Sequence, residues 1–269
     1  MIKYLFILLS LLSFLHAKKS IVVTYPVHKE FIEKIAKDDF FIKVIEDGYQ
    51  SFDKRGNLFK NEIYFSDVYL TLGLEEEKKY IELLKKKNRY MKIIDVSKGI
   101  EKDIVNGKVN HYIWTDPLLV RKLVKNLYKT LSSLKSYKKE FYETNHNIFL
   151  KELDDFFLFL KKKFDKNEFY NIYVYDTYWH YIAKRYRINL YYKENRFTTL
   201  EEVPALIEHA RRHNIEKVLI KEGTSYEQAQ SLASHINADI VEHDITKYNW
   251  KVNLEALARK IARYKKIYN

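Results

Sequence analysis

Four residues stand where an alternating strand–helix chain does its chemistry. Tyr25, Asp176, Glu222 and Asp244 each follow a short apolar run with the composition of a buried strand. Ligands of open α/β sheets sit beyond the carboxyl ends of the strands, so these positions face whatever the protein binds. Three carboxylates and a phenol at strand exits are polar groups placed where a ligand would sit. Two carboxylates across a cleft could also exchange protons with a substrate. No substrate-handling feature accompanies them: the chain has no serine elbow, no glycine-rich phosphate loop and no HExxH helix. The residues therefore point to binding rather than to an enzyme, and nothing in them calls for an organic cofactor. His209 and His213 have the i, i+4 spacing of a helical metal pair, but they flank Arg211-Arg212 on a helix that reads as exposed, and such a pair needs further converging ligands. There is no cysteine, which removes disulfides and thiolate sites.

The elements that must position these residues are legible from periodicity. Strands are expected at Ser20 to Thr24, Phe41 to Ile45, Val68 to Leu72 and Met91 to Val96, with helices at Val27 to Lys37 and Glu75 to Lys87. From Asp116-Pro117 to about Asp165 the chain lacks glycine and keeps helical apolar spacing, too long for an ordinary crossover. A second series then follows: strands at Asn171 to Tyr175, Ile188 to Tyr192, Lys217 to Lys221 and Asp239 to Glu242. Helices are expected at Thr177 to Tyr186, Leu200 to His213, Tyr226 to Ile236 and from Leu254. The reading is α/β: two lobes with mainly parallel sheets, joined by a long backbone helix, with a ligand cleft between them. Its boundaries are a leader at 1–17, an N-terminal lobe at 18–137, the long helix at 138–166 and a C-terminal lobe at 167–269.

Composition bounds the compartment. Met1-Ile2-Lys3, the apolar stretch Tyr4 to Leu15 and the exit His16-Ala17 have the form of a secretory signal peptide, with cleavage expected after Ala17. The apolar stretch is shorter than the roughly 20 residues of a membrane span. Without cysteine a lipid anchor is chemically impossible, so the mature chain is expected free in the periplasm, as a monomer. The formal net charge is +12, but the lysines lie beside Glu and Asp along helices, as in EEEKKYIELLKKKNRY. That is the pattern of solvated helix faces, not of a nucleic-acid site, and it favours attraction to anionic membrane surfaces.

The stretch Asp67-Val68-Tyr69-Leu70-Thr71-Leu72-Gly73-Leu74-Glu75 resembles the "ADLVVxxGxxxE" segment of the zinc/manganese type of periplasmic solute-binding proteins, cluster 9. Trp114-Thr115-Asp116-Pro117 is similar to that family's "HxWLDP", Tyr142 to Asn145 to its "YxxN", and Tyr181 to Tyr186 to its "YFAKRYG". Val218 to Glu222 stands where "VxxIFxE" would, and Asn253 to Leu257 matches "NLEAL". The motifs come in family order across nearly the whole mature chain. The resemblance implies a receptor that captures a divalent metal ion (manganese, zinc or iron) and delivers it to an ABC transporter permease driven by a cytoplasmic ATPase.

In such relatives two histidines of the N-terminal lobe and a His or Glu plus an Asp of the C-terminal lobe hold the metal. The first histidine is missing here, because the segment from Gly48 to Asp53 reads GYQSFD. At the second, Tyr112 stands in the family position and His111 one residue earlier. Either the loop shifts so that His111 reaches the metal, or Tyr112 replaces it, or the site is lost. Asp176 falls where the family has His or Glu, Asp244 at its terminal carboxylate and Glu222 at a nearby glutamate. The implied set is Asp176, Asp244, His111, Glu222 and Tyr112. Such oxygen-rich donors suit Mn²⁺, whereas Zn²⁺ usually carries more imidazole and a phenolate favours Fe³⁺. His28 could line the cleft, and His180 beside Asp176 either fills space or compensates for a lost histidine. Two alternatives remain: a receptor for a chelated metal or other small solute, and a family member with a degenerate site acting in interaction or adhesion.

Overall fold

β-branched and aromatic runs bounded by polar turns become strands, and two four-stranded parallel sheets result. The computed structural model describes residues 18–48, 50–164, 170–193, 197–224 and 226–262; the leader expected at 1–17 lies outside them. The chain separates between Val96 and Ser97 into two compact units. Among the described residues no helix is long and apolar enough to cross a membrane.

In the first unit β1 (Ser20–Val23), β2 (Phe41–Val44), β3 (Val68–Thr71) and β4 (Lys92–Asp95) are ordered β2-β1-β3-β4, all parallel. The helices are α1 (Pro26–Ala36), α2 (Asn57–Tyr64) and α3 (Glu77–Lys87). Pro26 opens α1 at a position where its missing N–H costs nothing. Val22 and Tyr69, neighbours in register on β1 and β3, share one core cluster with Ile63 of α2 and with Tyr80 and Leu84 of α3. Helix α2 lies in a stretch where no helix was expected; it spans only eight residues, and of its apolar side chains only Ile63 is buried.

The second unit opens with the antiparallel hairpin of β5 (Ile104–Val105) and β6 (Lys108–Val109). Asn106 and Gly107 turn it with φ of 50° and 73°, the positive values that an Asn-Gly hairpin turn supplies without strain. Helix α4 (Pro117–Leu134) starts on Asp116, whose carboxylate accepts the Leu118 N–H at 2.9 Å. Helix α5 (Lys139–Phe164) runs 26 residues, or about 39 Å. Then come β7 (Asn171–Val174), α6 (His180–Tyr186), β8 (Asn189–Tyr192), α7 (Val203–Arg212), β9 (Lys217–Lys221), α8 (Tyr226–Ile236), β10 (Asp239–His243) and α9 (Trp250–Ile261). The sheet order is β10-β9-β7-β8, again all parallel. Three helices start three or more residues from their expected positions. Helix α6 begins at His180, because 176–179 form a loop, α7 begins at Val203 rather than Leu200, and α9 begins at Trp250, four residues before Leu254.

Candidate metal centre

All five residues expected to bind metal lie in the second unit, on loops gathered at the carboxyl end of its sheet. Asp176 follows β7, Glu222 follows β9 and Asp244 follows β10 directly. His111 and Tyr112 come from the loop between β6 and α4. That loop is fastened to the others. The Asn110 side-chain amide donates to the Thr177 carbonyl at 2.7 Å, and the buried Trp114 indole N–H donates to the Ile245 carbonyl at 2.8 Å. The Trp250 indole in turn donates to the Trp114 carbonyl at 2.6 Å. The Tyr112 ring packs edge-on against Tyr178, centroids 4.7 Å apart. His111, Tyr112, Asp176 and Asp244 are half-buried, while Glu222 is exposed.

The donors differ in how far they are already committed. Asp244 Oδ1 accepts the Thr246 N–H at 2.8 Å and its hydroxyl at 2.7 Å, while the Asn253 amide donates to the Asp244 carbonyl at 2.6 Å. These bonds fix the orientation of the carboxylate, as outer hydrogen bonds do for metal ligands. Glu222 forms an ion pair with Lys247. The Lys221 ammonium sits 5.4 Å from the Tyr178 ring centroid, so this rim carries both signs of charge. Within either unit, among the described residues, no three His, Asp or Glu side chains form a group that could hold a metal ion. The loops converge; the side chains do not form a closed cage.

His180 is engaged elsewhere: its Nε2 lies 2.8 Å from Asp103 Oδ2, which also accepts from Lys184 at 2.7 Å. The Lys184 bond, with His180 adding to it, holds the Asp103 carboxyl below its usual range. The backbone N–H of Asp103 donates to the Tyr181 hydroxyl at 2.8 Å, and that hydroxyl donates to the Asn110 carbonyl at 2.7 Å. Asn110 and Asp103 thus brace the His111–Tyr112 loop, a role sequence reasoning missed. The Asn106-Gly107 turn of the hairpin that lies between them was the available signal. His243 is buried; its Nδ1 accepts the Trp179 indole N–H at 2.9 Å, and burial pulls its pKa down to about 4.

In the first unit the strand-exit residue Tyr25 donates its hydroxyl to Glu76 at 2.7 Å. Its backbone N–H lies 3.4 Å from His28 Nδ1, and burial pulls His28 down to about 3. Glu77, four residues past Gly73, is fully buried. It accepts the Leu72 and Leu74 N–H groups, each at 2.9 Å, and the Thr24 hydroxyl at 2.5 Å. Burial nevertheless pushes its carboxyl up to about 7. This glutamate ties the ends of β1 and β3 to the start of α3.

The family model described as ZnuA, zinc-uptake complex component A periplasmic, matches residues 21–262. The high-affinity zinc uptake system protein ZnuA of Bacillus subtilis (strain 168) is 28% identical over 134 residues, 47% of this chain and 41% of that one. The aligned part is thus well under two thirds of that relative's length. Among solved structures, a crystal structure of ZnuA superposes with a TM-score of 0.83 at 26% identity, covering 91% of this chain and 98% of the other. A ZnuA deletion mutant with zinc bound gives 0.80 at 25%, covering 91% and 97%. A Cd-bound periplasmic metal binding protein from candidatus liberibacter asiaticus gives 0.75 at 18%, covering 91% and 100%, a likeness of fold alone. By the extent of the family match, this chain belongs to the ZnuA family.

Proposed function

We propose that the chain is the exported receptor of a metal-uptake system, taking one divalent ion at the carboxyl end of the second unit's sheet and handing it to a membrane permease driven by a cytoplasmic ATPase. Asp176 and Asp244 are the principal ligands, with His111 and Tyr112 completing the set from the facing loop. Glu222 balances Lys247 and acts from outside the first ring of donors. Residues 1–17 serve as the export signal. The observation that carries this reading is the fastening of the His111–Tyr112 loop to the loops bearing Asp176 and Asp244, through Asn110 and Trp114. Loops that bear ligand atoms at a sheet's carboxyl end, pinned to each other before any ligand arrives, are pre-organised for binding. The relatives' names point to zinc. The donor set here has at most one imidazole, so affinity for Mn²⁺ falls less, relative to a histidine-rich site, than affinity for Zn²⁺.

A second reading has its own support. The mixed charge of the rim, with Lys221 over Tyr178 and Lys247 on Glu222, suits an anionic metal chelate. Equilibrium titration of chelator-stripped protein with Mn²⁺ and Zn²⁺, and separately with zinc citrate, distinguishes the two. The expected result is one Mn²⁺ per chain without any chelator. Binding of the citrate complex with no uptake of bare Mn²⁺ or Zn²⁺ at this site transfers the function to the chelate.

A further inference from the structure

Strands β7 and β8 are paired so that Tyr173 and Tyr191 are direct register partners on one face of the sheet. Over that face lies the end of α7, which carries His209 in its last turn and His213 just past it. The His213 N–H still donates to the His209 carbonyl at 3.1 Å, so the two side chains keep true i, i+4 spacing on one side of the helix. Their ring centroids are 4.5 Å apart. Each imidazole is held by one tyrosine: the Tyr173 hydroxyl lies 2.6 Å from His209 Nδ1, and the Tyr191 hydroxyl 3.0 Å from His213 Nδ1. The Tyr191 ring also stands edge-on to His209 at 4.9 Å. Among the described residues neither Nε2 makes a hydrogen bond. A cavity of about 550 Å³, lined by Tyr173, Tyr191, Leu206 and His209 among others, opens beside the pair.

We propose that His209 and His213 form a two-imidazole site for a borderline transition-metal ion such as Cu²⁺, Ni²⁺ or Zn²⁺, separate from the carboxylate centre. Two histidines one helical turn apart are a natural chelate, because their Nε2 atoms can reach one ion from the same helix face. With each Nδ1–H donated to a tyrosine oxygen, each Nε2 keeps its lone pair for a metal ion. A hydrogen bond on the far nitrogen is the arrangement that orients histidine ligands and selects their tautomer. Water fills the remaining positions of the ion, entering from the cavity. Imidazole donors select Cu²⁺ above the other divalent ions and take Mn²⁺ least, and they discriminate against Mn²⁺ more strongly than the carboxylate oxygens of Asp176 and Asp244 do. The sheet supplies the geometry: two neighbouring strands present one hydroxyl each to histidines one turn apart.

The test uses the full mature chain free of any affinity tag, with Asp176→Ala and Asp244→Ala introduced so that the other centre is silent. One equivalent of Cu²⁺ is expected to bind with an electron paramagnetic resonance spectrum showing two nitrogen ligands. His209→Gln or His213→Gln should each weaken binding by about 10-fold or more and remove one nitrogen. Tyr173→Phe and Tyr191→Phe should keep both nitrogens and weaken binding by about 10-fold, the lower end of the range for an outer hydrogen bond. Unchanged copper affinity and spectrum in the His209→Gln/His213→Gln double variant overturn the proposal. Should those variants fail to fold, substoichiometric Cu²⁺ added to the unsubstituted chain serves instead. Selective broadening of the His209 and His213 ring-proton resonances supports the site, and its absence overturns it.

Discussion

Replacing Asp176 and Asp244 together by alanine is expected to weaken Mn²⁺ binding by about 100-fold or more while leaving the thermal transition of the metal-free chain nearly unchanged. Loss of even an outer hydrogen bond costs about 10- to 100-fold in metal affinity, so loss of two anionic ligands must cost at least that. The small stability effect follows from where the carboxylates sit. Asp176 is half-buried at a strand exit, and Asp244 contributes a local turn with Thr246 rather than a core contact. Glu222→Ala should weaken binding less than about 10-fold, since that side chain is exposed and paired with Lys247. Calorimetric titration of the three variants gives the ranking. A Glu222→Ala loss as large as that of the aspartate pair would reassign the ligands.

The second large effect belongs to the first unit and concerns folding. Glu77→Leu is expected to destabilise by about 3–5 kcal/mol, because the Leu72 and Leu74 N–H groups and the Thr24 hydroxyl lose their acceptor in a buried place. In a chain of this size that corresponds to a fall in melting temperature of roughly 10 °C. The pH dependence separates this carboxyl from its neighbours. Burial raises Glu77 from 4.5 to about 7. Between those values the folded chain keeps a proton that the unfolded chain has released. Its contribution is therefore full below pH 4.5 and lost as pH rises through about 7.

His28 acts in the opposite sense. Burial lowers it from 6.5 to about 3, so its contribution is full above pH 6.5 and is lost as pH falls towards 3. From pH 4.5 to 6.5 the two slopes oppose each other, each approaching about 1.4 kcal/mol per pH unit. His243, lowered to about 4 by burial, acts in the same sense as His28, so urea denaturation across pH 3.5 to 8 should show stability still rising with pH over that window. Glu77→Gln should steepen the rise of stability with pH up to 6.5, and His28→Gln should leave Glu77 opposed by His243 alone, flattening the profile from 4.5 to 6.5 before it falls towards 7. Identical profiles in the unsubstituted chain and Glu77→Gln would remove the buried carboxyl from the account.

The strands were readable because β-branched runs such as Ser20–Val23 and Lys217–Lys221 sit between turn residues, and because buried parallel strands read as continuous apolar sequence. The two long helices were readable from unbroken apolar spacing without glycine. The β5–β6 hairpin was not: its strands are two residues each, too short to show alternation, although Asn106-Gly107 marked the turn. Strand ends located Asp176 and Asp244, since position beyond a parallel strand is a consequence of topology. Which donors are already engaged was not readable. Lys247 reaches Glu222 across 25 residues of sequence, and His180 reaches Asp103 across 77. Such pairings depend on how loops fold back, which local patterns do not encode.

The tyrosine–histidine pairs make the same point from the other side. His209 and His213 were visible as an i, i+4 pair, but the flanking arginines suggested an exposed face. The two tyrosines that meet them come from neighbouring strands, and only the register of β7 against β8 brings them level. Sequence gives the spacing along a helix, while the sheet decides what lies beneath it.

Anomalous diffraction from crystals of the mature chain grown with Mn²⁺ locates the captured ion directly. The expected result is a peak within about 2 to 2.5 Å of carboxylate oxygens of both Asp176 and Asp244, with the His111–Tyr112 loop supplying a further donor. A peak remote from both aspartates, or none at saturating Mn²⁺, would contradict capture at the carboxyl end of this sheet.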